Sequence, residues 1–357
     1  MPASGIMNRR ESSPVRVGNL VVGGQQPVWV QSMTNTRTED IEKTVRQVRR
    51  LEAAGCEIVR VAVKNMESAA NIAVIKKRMR GPLVADIHFN HRIAIAAIEG
   101  GADKIRINPG NIGGPKKLAE VARAARERGI PIRVGVNSGS LEDDILEKFG
   151  HPTADALVES ALRNVGLLED VGFTDIIVSL NSTYVPTTIE SYRQIAPRMK
   201  YPLHIGLTEA GLPGSGTIKS AIAIGLLLAE GIGDTIRVSL TSSPIEEVRV
   251  ARQILQALGL RRFGPEVISC PTCGRLQIDL ISLTKEVERR LKGTKKDITV
   301  AILGCAVNGP GEAREADIGI AAGKGSGFLI RQGEFVRKVK EEDLLDALME
   351  EIEHFTP

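Results

Sequence analysis

The amino-acid sequence predicts an α/β protein, in which a TIM-type (β/α)8 barrel is followed by a small α+β domain. Apolar strand segments recur eight times between residues 28 and 260, helical segments separate them, and this pattern changes after Gly264-Pro265. The chain has 357 residues, more than one average domain, and is 42% hydrophobic, which is enough for a full core. We therefore expect a barrel over residues 1–263 and a second domain over residues 264–357.

Each predicted barrel strand is an apolar segment that leads into a polar or glycine-containing loop. Stretches rich in Ala, Glu, Lys and Arg, such as EDIEKTVRQVRRLEAAG and HRIAIAAIEGG, separate the strands. Eight βα units are typical of a parallel barrel, and this number argues against the alternative, a doubly wound open sheet. The strand segments are VWVQSM (28–33), EIVRVAV (57–63), LVADIHF (83–89), KIRINP (104–109), IRVGVNS (132–138), DIIVSLN (175–181), LHIGLTE (203–209) and TIRVSLT (235–241).

The second domain is predicted to contain a different order of elements. A cysteine pair comes first, then a helix at about residues 275–292, and then the strand DITVAIL, which leads to Cys305. ADIGIAAG, a hairpin GFLIRQGEFVRKV and a final helix EEDLLDALMEEIEHF complete the unit. Because no low-complexity linker separates the domains, we expect them to be joined tightly.

Composition excludes several classes of function. The net charge is only +4 and aromatic residues make up 3%, so no basic arm or base-stacking surface for nucleic acid is expected. The longest apolar stretch, AIAIGLLLAEGIG, is short and is interrupted by Glu230, and the N-terminus lacks the apolar segment of a secretory signal. Four scattered cysteines do not form a disulfide framework. We expect a cytoplasmic protein that binds neither membranes nor nucleic acids.

Polar residues occupy one face of several predicted strands. Side chains two residues apart share a face, and the outward face of a barrel strand packs against apolar helices, so the polar face points into the lumen. Four of these inward residues are arginines: Arg60, Arg106, Arg133 and Arg237. The others are Asp86, His88, Asn108, Asn137, Ser179, Asn181, His204, Thr208 and Ser239.

Buried arginines need negatively charged partners, since an isolated buried charge is very costly. An internal salt-bridge network is one interpretation, but Asp86 and Glu209 are the only acids on these faces. A multiply charged anion is the better interpretation, because guanidinium groups suit phosphate oxygens. Glu209 itself is a candidate proton donor or hydroxyl partner, or else a salt-bridge partner of Arg237. His88 and His204 are further acid–base candidates or orienting groups.

The loops at this end of the barrel also favour a phosphate. NPGNIGG, EAGLPGSGT and TSSPIEE follow strands 4, 7 and 8 and lead into helices. In the last, Ser243 is a predicted N-cap and Pro244 the first helical residue. Helix N-termini attract phosphate, and barrels often bind it through the loops after strands 7 and 8.

Three of the four cysteines form a candidate metal centre: Cys270 and Cys273 in ISCPTCGRLQ, and Cys305 in LGCAVNGPGEAR. The fourth, Cys56, precedes strand 2 at the opposite end of the barrel and is a predicted buried apolar residue. Glu312 follows Cys305 after a tight NGPG turn and is the candidate fourth ligand. Three thiolates with a carboxylate are unusual for structural zinc and fit an iron–sulfur cubane with one weakly held iron. Zinc and a redox-active Cys-x-x-Cys remain the alternatives.

The motifs together resemble one family. VQSMTNT, CEIVRVAV, ADIHF, IRINPGNIG, VGVNSGSLE, TEAG, EGIGDTIRVSL, CPTCGR and GCAVNGPGEA occur in the order found in the 4-hydroxy-3-methylbut-2-enyl diphosphate synthase family (IspG, or GcpE), from about residue 15 to 350. The resemblance implies an iron–sulfur oxidoreductase of the non-mevalonate (MEP) pathway of isoprene biosynthesis. Its small cyclic diphosphate substrate, 2-C-methyl-D-erythritol 2,4-cyclodiphosphate, is opened and reductively dehydrated to 4-hydroxy-3-methylbut-2-enyl diphosphate.

The resemblance also implies the cofactor and the site residues. A [4Fe-4S] cluster is held by Cys270, Cys273, Cys305 and Glu312, where a substrate oxygen can replace the glutamate, and flavodoxin or ferredoxin donates single electrons. Glu209 of TEAG meets the leaving hydroxyl. At Asn181 the chain departs from the family, which commonly has a lysine that contacts the diphosphate. The other residues that correspond to the family's substrate site are Arg60, His88, Arg106, Asn108, Arg133, Asn137, Thr208, Arg237 and Ser239.

The position of the last barrel helix predicts a dimer. This helix, at about 245–258, starts at the C-terminal ends of the strands and spans roughly 20 Å, so the chain leaves the barrel at the opposite end from the arginines. We expect the cluster of one chain to complete the site over Arg106 and Glu209 of another, in a head-to-tail homodimer like that of the family.

Two other functions remain as alternatives. One is a non-redox barrel enzyme that acts on a phosphorylated metabolite and contains a structural zinc site. The other is a non-catalytic iron–sulfur protein that binds RNA or senses redox state, against which the absent basic stripe and the inward arginines both argue. Metal content distinguishes the first from the reductase, and phosphate-ester binding in the barrel distinguishes both enzymes from the second.

Overall fold

The computed structural model of the chain describes residues 8–305 and 307–356. The chain divides between Arg261 and Arg262 into two compact units, a barrel and a smaller C-terminal domain. The domain boundary expected from the sequence, between residues 263 and 264, lies two residues further along the chain.

The predicted barrel is confirmed. Its eight strands are parallel neighbours in the order β8-β7-β6-β5-β4-β3-β10-β9, and a parallel bridge between Val178 and Leu203 joins the two ends of this order. An N-terminal hairpin of β1 (Val15–Val17) and β2 (Leu20–Val22) precedes the barrel. The barrel strands are β3 (Trp29–Met33), β4 (Ile58–Ala62), β5 (Leu83–Asp86), β6 (Lys104–Ile107), β7 (Ile132–Asn137), β8 (Ile176–Asn181), β9 (His204–Gly206) and β10 (Thr235–Arg237).

Helices connect the strands, as the alternating pattern predicts. They are α1 (Ile41–Ala53), α2 (Met66–Ala70), α3 (Ile72–Lys77), α4 (His91–Glu99), α5 (Pro115–Arg128), α6 (Asp143–Phe149), α7 (Ala154–Asp170), α8 (Val185–Ile195), α9 (Ser215–Ala229) and α10 (Pro244–Ala257). The predicted cap of α10 is present, since the Ser243 hydroxyl accepts a hydrogen bond from the amide of Ile245 at 3.4 Å. Among the described residues, no helix is both long and apolar enough to cross a bilayer.

The N-terminal hairpin closes the barrel at the end where the strands begin. Val15, Val17 and Val22 form one apolar cluster with Ile58, Val84 and Ile177, which point into the lumen from β4, β5 and β8. This seal leaves the opposite end as the open end of the barrel. The sequence analysis did not predict the hairpin, although VRVGNLVV has the alternating pattern and the Gly-Asn turn of one, with Gly18 at φ 58°.

The C-terminal domain is a five-stranded mixed sheet in the order β11-β12-β13-β14-β15. The first three strands are parallel, and the last three are antiparallel neighbours. Helices α11 and α13 contribute to the main core on one face, while α12 packs on the other. The elements are β11 (Glu266–Ser269), α11 (Leu280–Leu291), β12 (Thr299–Leu303), α12 (Gly309–Ala313), β13 (Ile318–Gly323), β14 (Ser326–Arg331), β15 (Glu334–Lys340) and α13 (Leu344–His354).

Candidate functional site

A cavity of about 630 Å³ lies at the C-terminal ends of the barrel strands. Most of the substrate-site residues predicted from the sequence line this cavity. Asp86, His204 and the loop residues 138–140 also line it. The predicted residues that line it are Arg60, His88, Arg106, Arg133, Asn137, Asn181, Thr208, Glu209, Arg237 and Ser239. Asn108 has a different position, because its side-chain oxygen accepts a hydrogen bond from the amide of Gly110 at 3.2 Å and caps the turn after β6.

Asp86 is the carboxylate that organises one side of the cavity. Its oxygens lie 3.3 Å from the Arg106 guanidinium, 3.8 Å from that of Arg60 and 3.5 Å from the Nε2 atom of His88. Burial alone would raise the pKa of Asp86, but the nearby cations hold that pKa below its usual value. Asp86 is therefore ionised and holds three predicted site residues together.

Several guanidinium nitrogens in this cavity have no protein partner. Arg133 is fully buried and donates to the Ser179 hydroxyl at 3.3 Å, yet its Nε and one terminal nitrogen are unpartnered. Burial, followed by the proximity of Arg60 and Arg106, lowers the pKa of Arg133 well below its usual value. The Nε atoms of Arg106 and Arg237 are also buried without a partner. A bound anion satisfies such donors and relieves the repulsion between the cations.

The charge balance includes two residues that sequence analysis missed. Glu247 on α10 is buried, and its carboxylate lies 3.8 Å from the Arg237 guanidinium. Lys104 is fully buried and donates to Gln31 at 3.3 Å; it shares the inward parity of Arg106, which was the available signal. The predicted set of four cations and two acids on the strand faces was therefore incomplete. Among the described residues, five basic side chains of the lumen stand against two buried carboxylates, Asp86 in the lumen and Glu247 on α10 behind its wall.

Glu209 stands at the exposed rim of the cavity in a strained backbone conformation. Its φ is 53°, a left-handed value that non-glycine residues rarely adopt and that occurs preferentially at functional sites. Its carboxylate accepts a hydrogen bond from the Thr183 hydroxyl at 3.2 Å. The alternative in which Glu209 pairs with Arg237 is not the arrangement in this structure, where Arg237 pairs with Glu247.

Asn181 and Asn137 form a hydrogen-bonded pair at the ends of neighbouring strands. The Asn181 amide nitrogen donates to the Asn137 side-chain oxygen at 2.8 Å and to the Val136 carbonyl at 3.2 Å. Since the Asn137 oxygen is used in this way, its amide nitrogen is the atom left to donate to a ligand. Asn181 thus orients a neighbouring donor.

The two inward histidines have different environments. His204 is buried, and its Nδ1 atom lies 2.8 Å from the Thr235 hydroxyl. Burial and the surrounding cations lower the pKa of His204 well below its usual value, so it is neutral and serves to hold β9 beside β10. The His88 side chain is 53% exposed at the cavity, where its Nε2 atom lies 3.5 Å from Asp86.

The sheet topology of the C-terminal domain places two of the cysteines at one end of the sheet. Cys270 follows β11 and Cys305 follows β12, so both stand at the same end of two parallel neighbours. The Cys270 sulfur accepts a hydrogen bond from the amide of Gly304 at 3.3 Å. The amides of Asn308 and Val307, with a contribution from Arg275, lower the pKa of the Cys305 thiol. The lowered pKa of Cys305 favours its thiolate, which is the ligand form of cysteine.

The remaining cysteines differ in exposure. Cys273 is exposed, and Glu312 lies on α12. In residues 8–305 and 307–356, no three His, Cys, Asp or Glu side chains stand close enough together to hold a metal ion. Cys56 lies beside a hollow of about 760 Å³ at the closed end of the barrel, and burial raises the pKa of its thiol to about 12. It is a core residue, as predicted.

Comparison with protein families identifies the chain. The description "GcpE TIM-barrel domain" matches residues 12–252, and "GcpE protein C-terminal domain" matches residues 266–354. The chain belongs to the GcpE family. The two matched GcpE segments coincide with the barrel and with the mixed-sheet domain.

Relatives in the GcpE family match along nearly the whole chain. A protein from Clostridium perfringens is 59% identical over 97% of this chain and 99% of its own length. One from Caldanaerobacter subterraneus is also 59% identical, over 98% of this chain and 98% of its own length. One from Geobacter sulfurreducens is 56% identical over 97% of this chain and 98% of its own. All three are named 4-hydroxy-3-methylbut-2-en-1-yl diphosphate synthase (flavodoxin).

Distant solved structures share the fold alone. A type I 3-dehydroquinate dehydratase from Clostridium difficile has a TM-score of 0.52 at 11% identity and covers 69% of this chain and 98% of its own. An N-acetylneuraminic acid synthetase from Leptospira borgpetersenii has a TM-score of 0.51 at 12% identity, with coverages of 79% and 97%. At such identities the likeness shows the fold alone, so the chemistry of this GcpE protein has to be argued from its own cavity.

Proposed function

We propose that this chain catalyses the two-electron reductive dehydration and ring opening of 2-C-methyl-D-erythritol 2,4-cyclodiphosphate to 4-hydroxy-3-methylbut-2-enyl diphosphate. This reaction is a step of the non-mevalonate pathway to isoprenoids. The observation that carries the proposal is the excess of buried cations in the barrel cavity, with unpartnered nitrogens on Arg106, Arg133 and Arg237. A diphosphate supplies the negative charge and the oxygen acceptors that these groups lack.

The barrel residues bind and orient the diphosphate. Arg60 and Arg106 are held by Asp86, and Arg133 by Ser179, so each guanidinium approaches the ligand from a fixed direction. The other contacts come from neutral donors and the remaining cation: His88, Asn137, Asn181, Thr208, Arg237 and Ser239, with Asn108 shaping the loop after β6. The preformed cavity binds the anion without paying for side-chain ordering.

Glu209 is proposed as the group that meets the substrate hydroxyl. It lies at the cavity rim, and the Thr183 hydroxyl orients its carboxylate at 3.2 Å. A carboxylic acid in this position donates a proton to the hydroxyl that departs as water, which makes that hydroxyl a better leaving group. The strained backbone of Glu209 fixes the direction from which the proton arrives.

A [4Fe-4S] cluster is the proposed cofactor, held by Cys270, Cys273, Cys305 and Glu312. When bound, it supplies the electrons for the reduction one at a time. The donor set fits a cluster because thiolates are soft ligands, and the amides near Cys270 and Cys305 stabilise thiolate charge. Bringing the four side chains together is coupled to binding of the cluster, as in other metal sites.

The proposed electron donor is flavodoxin or ferredoxin, and the proposed assembly is a head-to-tail homodimer in the cytoplasm. The dimer is supported by the path of the barrel chain. Arg261 donates to the Val28 carbonyl at 3.1 Å and to Glu57 at 2.7 Å, which places it at the end of the barrel opposite the cavity. The 14 residues of α10 span about 21 Å between the two ends. A cluster domain that follows Arg261 is therefore proposed to complete the cavity of a second copy.

Turnover under anaerobic conditions tests the proposal. Protein prepared without oxygen, with a reconstituted cluster, is incubated with the cyclodiphosphate and reduced flavodoxin, and the product is identified by mass spectrometry. We expect 4-hydroxy-3-methylbut-2-enyl diphosphate to form and Glu209→Gln to abolish its formation while leaving inorganic diphosphate binding intact. A wild-type preparation with full cluster content that binds the cyclodiphosphate and never converts it would contradict the proposal.

A further inference from the structure

A carboxylate lies behind the wall of the diphosphate cavity. Glu247, in the first turn of α10, is 5% exposed and is not among the residues that line the cavity. Its Oε2 atom accepts a hydrogen bond from the Ser32 hydroxyl at 2.9 Å, and its Oε1 atom accepts one from the backbone amide of Leu240 at 3.0 Å. Both oxygens are therefore fixed by partners from β3 and from the segment after β10.

This carboxylate faces two residues of the cavity wall. The Arg237 guanidinium lies 3.8 Å from Oε2, and its Nε atom is buried without a partner. Leu240 directly follows Ser239, so the hydrogen bond at its amide also fixes the backbone that carries the Ser239 hydroxyl. Glu247 thus contacts Arg237 directly and Ser239 only through the backbone of Leu240, and it does not itself line the cavity.

A buried carboxylate in such a place has an energetic cost. Burial raises the pKa of Glu247, and Arg237 opposes that rise. A neutral or apolar residue avoids this cost, since buried ion pairs rarely contribute net stability. A carboxylate at this position orients the Arg237 guanidinium through its charge, which a neutral side chain does not do.

We propose that Glu247 is a positioning residue that holds Arg237 and Ser239 in the orientation required for the diphosphate of the substrate. The inference rests on the proposed function for the identity of the ligand, and it assigns to α10 a part in substrate binding. Glu247 acts through Arg237, and not on the reacting atoms.

Inorganic diphosphate is the probe, because its binding depends on neither the cluster nor turnover. Isothermal titration of the holoenzyme is expected to show that Glu247→Gln weakens diphosphate binding about tenfold, because misorientation of Arg237 outweighs the favourable loss of a negative charge near the anion. In the anaerobic assay, KM rises by a similar factor while kcat stays within about twofold, since the diphosphate is held equally in the ground state and the transition state. Glu246→Gln is the matched control, because Glu246 neighbours it on α10 and pairs with the exposed Arg249.

A double-mutant cycle distinguishes positioning from a general structural effect. In an Arg237→Gln background, Glu247→Gln is expected to change the diphosphate Kd by less than about twofold, because its effect passes through Arg237. Ser32→Ala gives a second measurement that leaves the charges in place, and we expect weaker binding in the wild-type background alone. Wild-type or tighter diphosphate binding in Glu247→Gln, or an equal loss in both backgrounds, would overturn the inference. Failure to convert the cyclodiphosphate with these binding results intact would overturn only the proposed function.

Discussion

Gly135 is the position at which one methyl group disturbs the cavity most directly. It lies on β7 between Arg133 and Asn137, and the Arg106 side chain crosses over it. A Cβ atom at Gly135 would stand 2.3 Å from the Arg106 Nε atom and 3.0 Å from its central carbon. The guanidinium must move by about 1 Å to reach van der Waals distance, because the β7 backbone is held by neighbours on both sides.

The expected loss follows from the contacts of Arg106. Its terminal nitrogens donate to the Gly135 carbonyl at 2.9 Å and to Asp86 at 3.3 Å, and displacement weakens both together with the contact to the ligand. A hydrogen bond to a charged group contributes about 1.5–3 kcal/mol, which corresponds to about 10- to 150-fold in affinity. The folding cost is about 1–3 kcal/mol, because the clash is with the end of a flexible side chain.

Titration of Gly135→Ala with inorganic diphosphate measures the affinity, and urea denaturation measures the free energy of unfolding. Gly166→Ala is the control, since a Cβ atom there meets nothing within 4 Å. We expect the control to bind as the wild type does. Unchanged diphosphate affinity in folded Gly135→Ala protein would refute the reasoning, because diphosphate binding would then not depend on the position of Arg106 against Gly135.

Three further predictions concern the cluster, Asn181 and the buried histidine. Cys305→Ser is expected to lose bound iron and reductive turnover while keeping diphosphate affinity, as measured by iron analysis and titration, because the thiolate and the barrel cavity act separately. Asn181→Lys is expected to tighten diphosphate binding by roughly fivefold, about 1 kcal/mol, because it adds a cation; titration showing weaker binding would contradict this. His204 stays neutral when folded and takes up a proton when unfolded below its usual pKa of 6.5. The free energy of unfolding therefore falls by up to about 1.4 kcal/mol per pH unit as pH drops below that value, and urea titrations should show a smaller fall in His204→Gln.

The barrel could be predicted because its sequence signal is local and repeated. Each of the eight segments combines β-branched residues with a following loop, and the parity of Arg106 or Arg133 within its strand gives the inward face without knowledge of the partners. Strand ends were less well predicted, since LHIGLTE forms a strand only over His204–Gly206. Thr208 nevertheless lines the cavity from the loop that continues the strand.

The parts that sequence reasoning missed depend on contacts between distant elements. Glu247 sits on a helix whose first turn is rich in acids, and nothing local distinguishes it from Glu246, yet it alone reaches Ser32 on β3. The choice between Glu209 and Glu247 as partner of Arg237 required the direction of α10 relative to β10. Lys104 could have been predicted, because it stands two residues before Arg106 on the same face of β6.

Iron, acid-labile sulfide and zinc per chain, measured on protein purified without oxygen, test the central claim most directly. The account predicts about four iron and four sulfide, held by Cys270, Cys273, Cys305 and Glu312. Stoichiometric zinc without sulfide would contradict it, because the electrons for the reduction would then have no path to the diphosphate in the barrel.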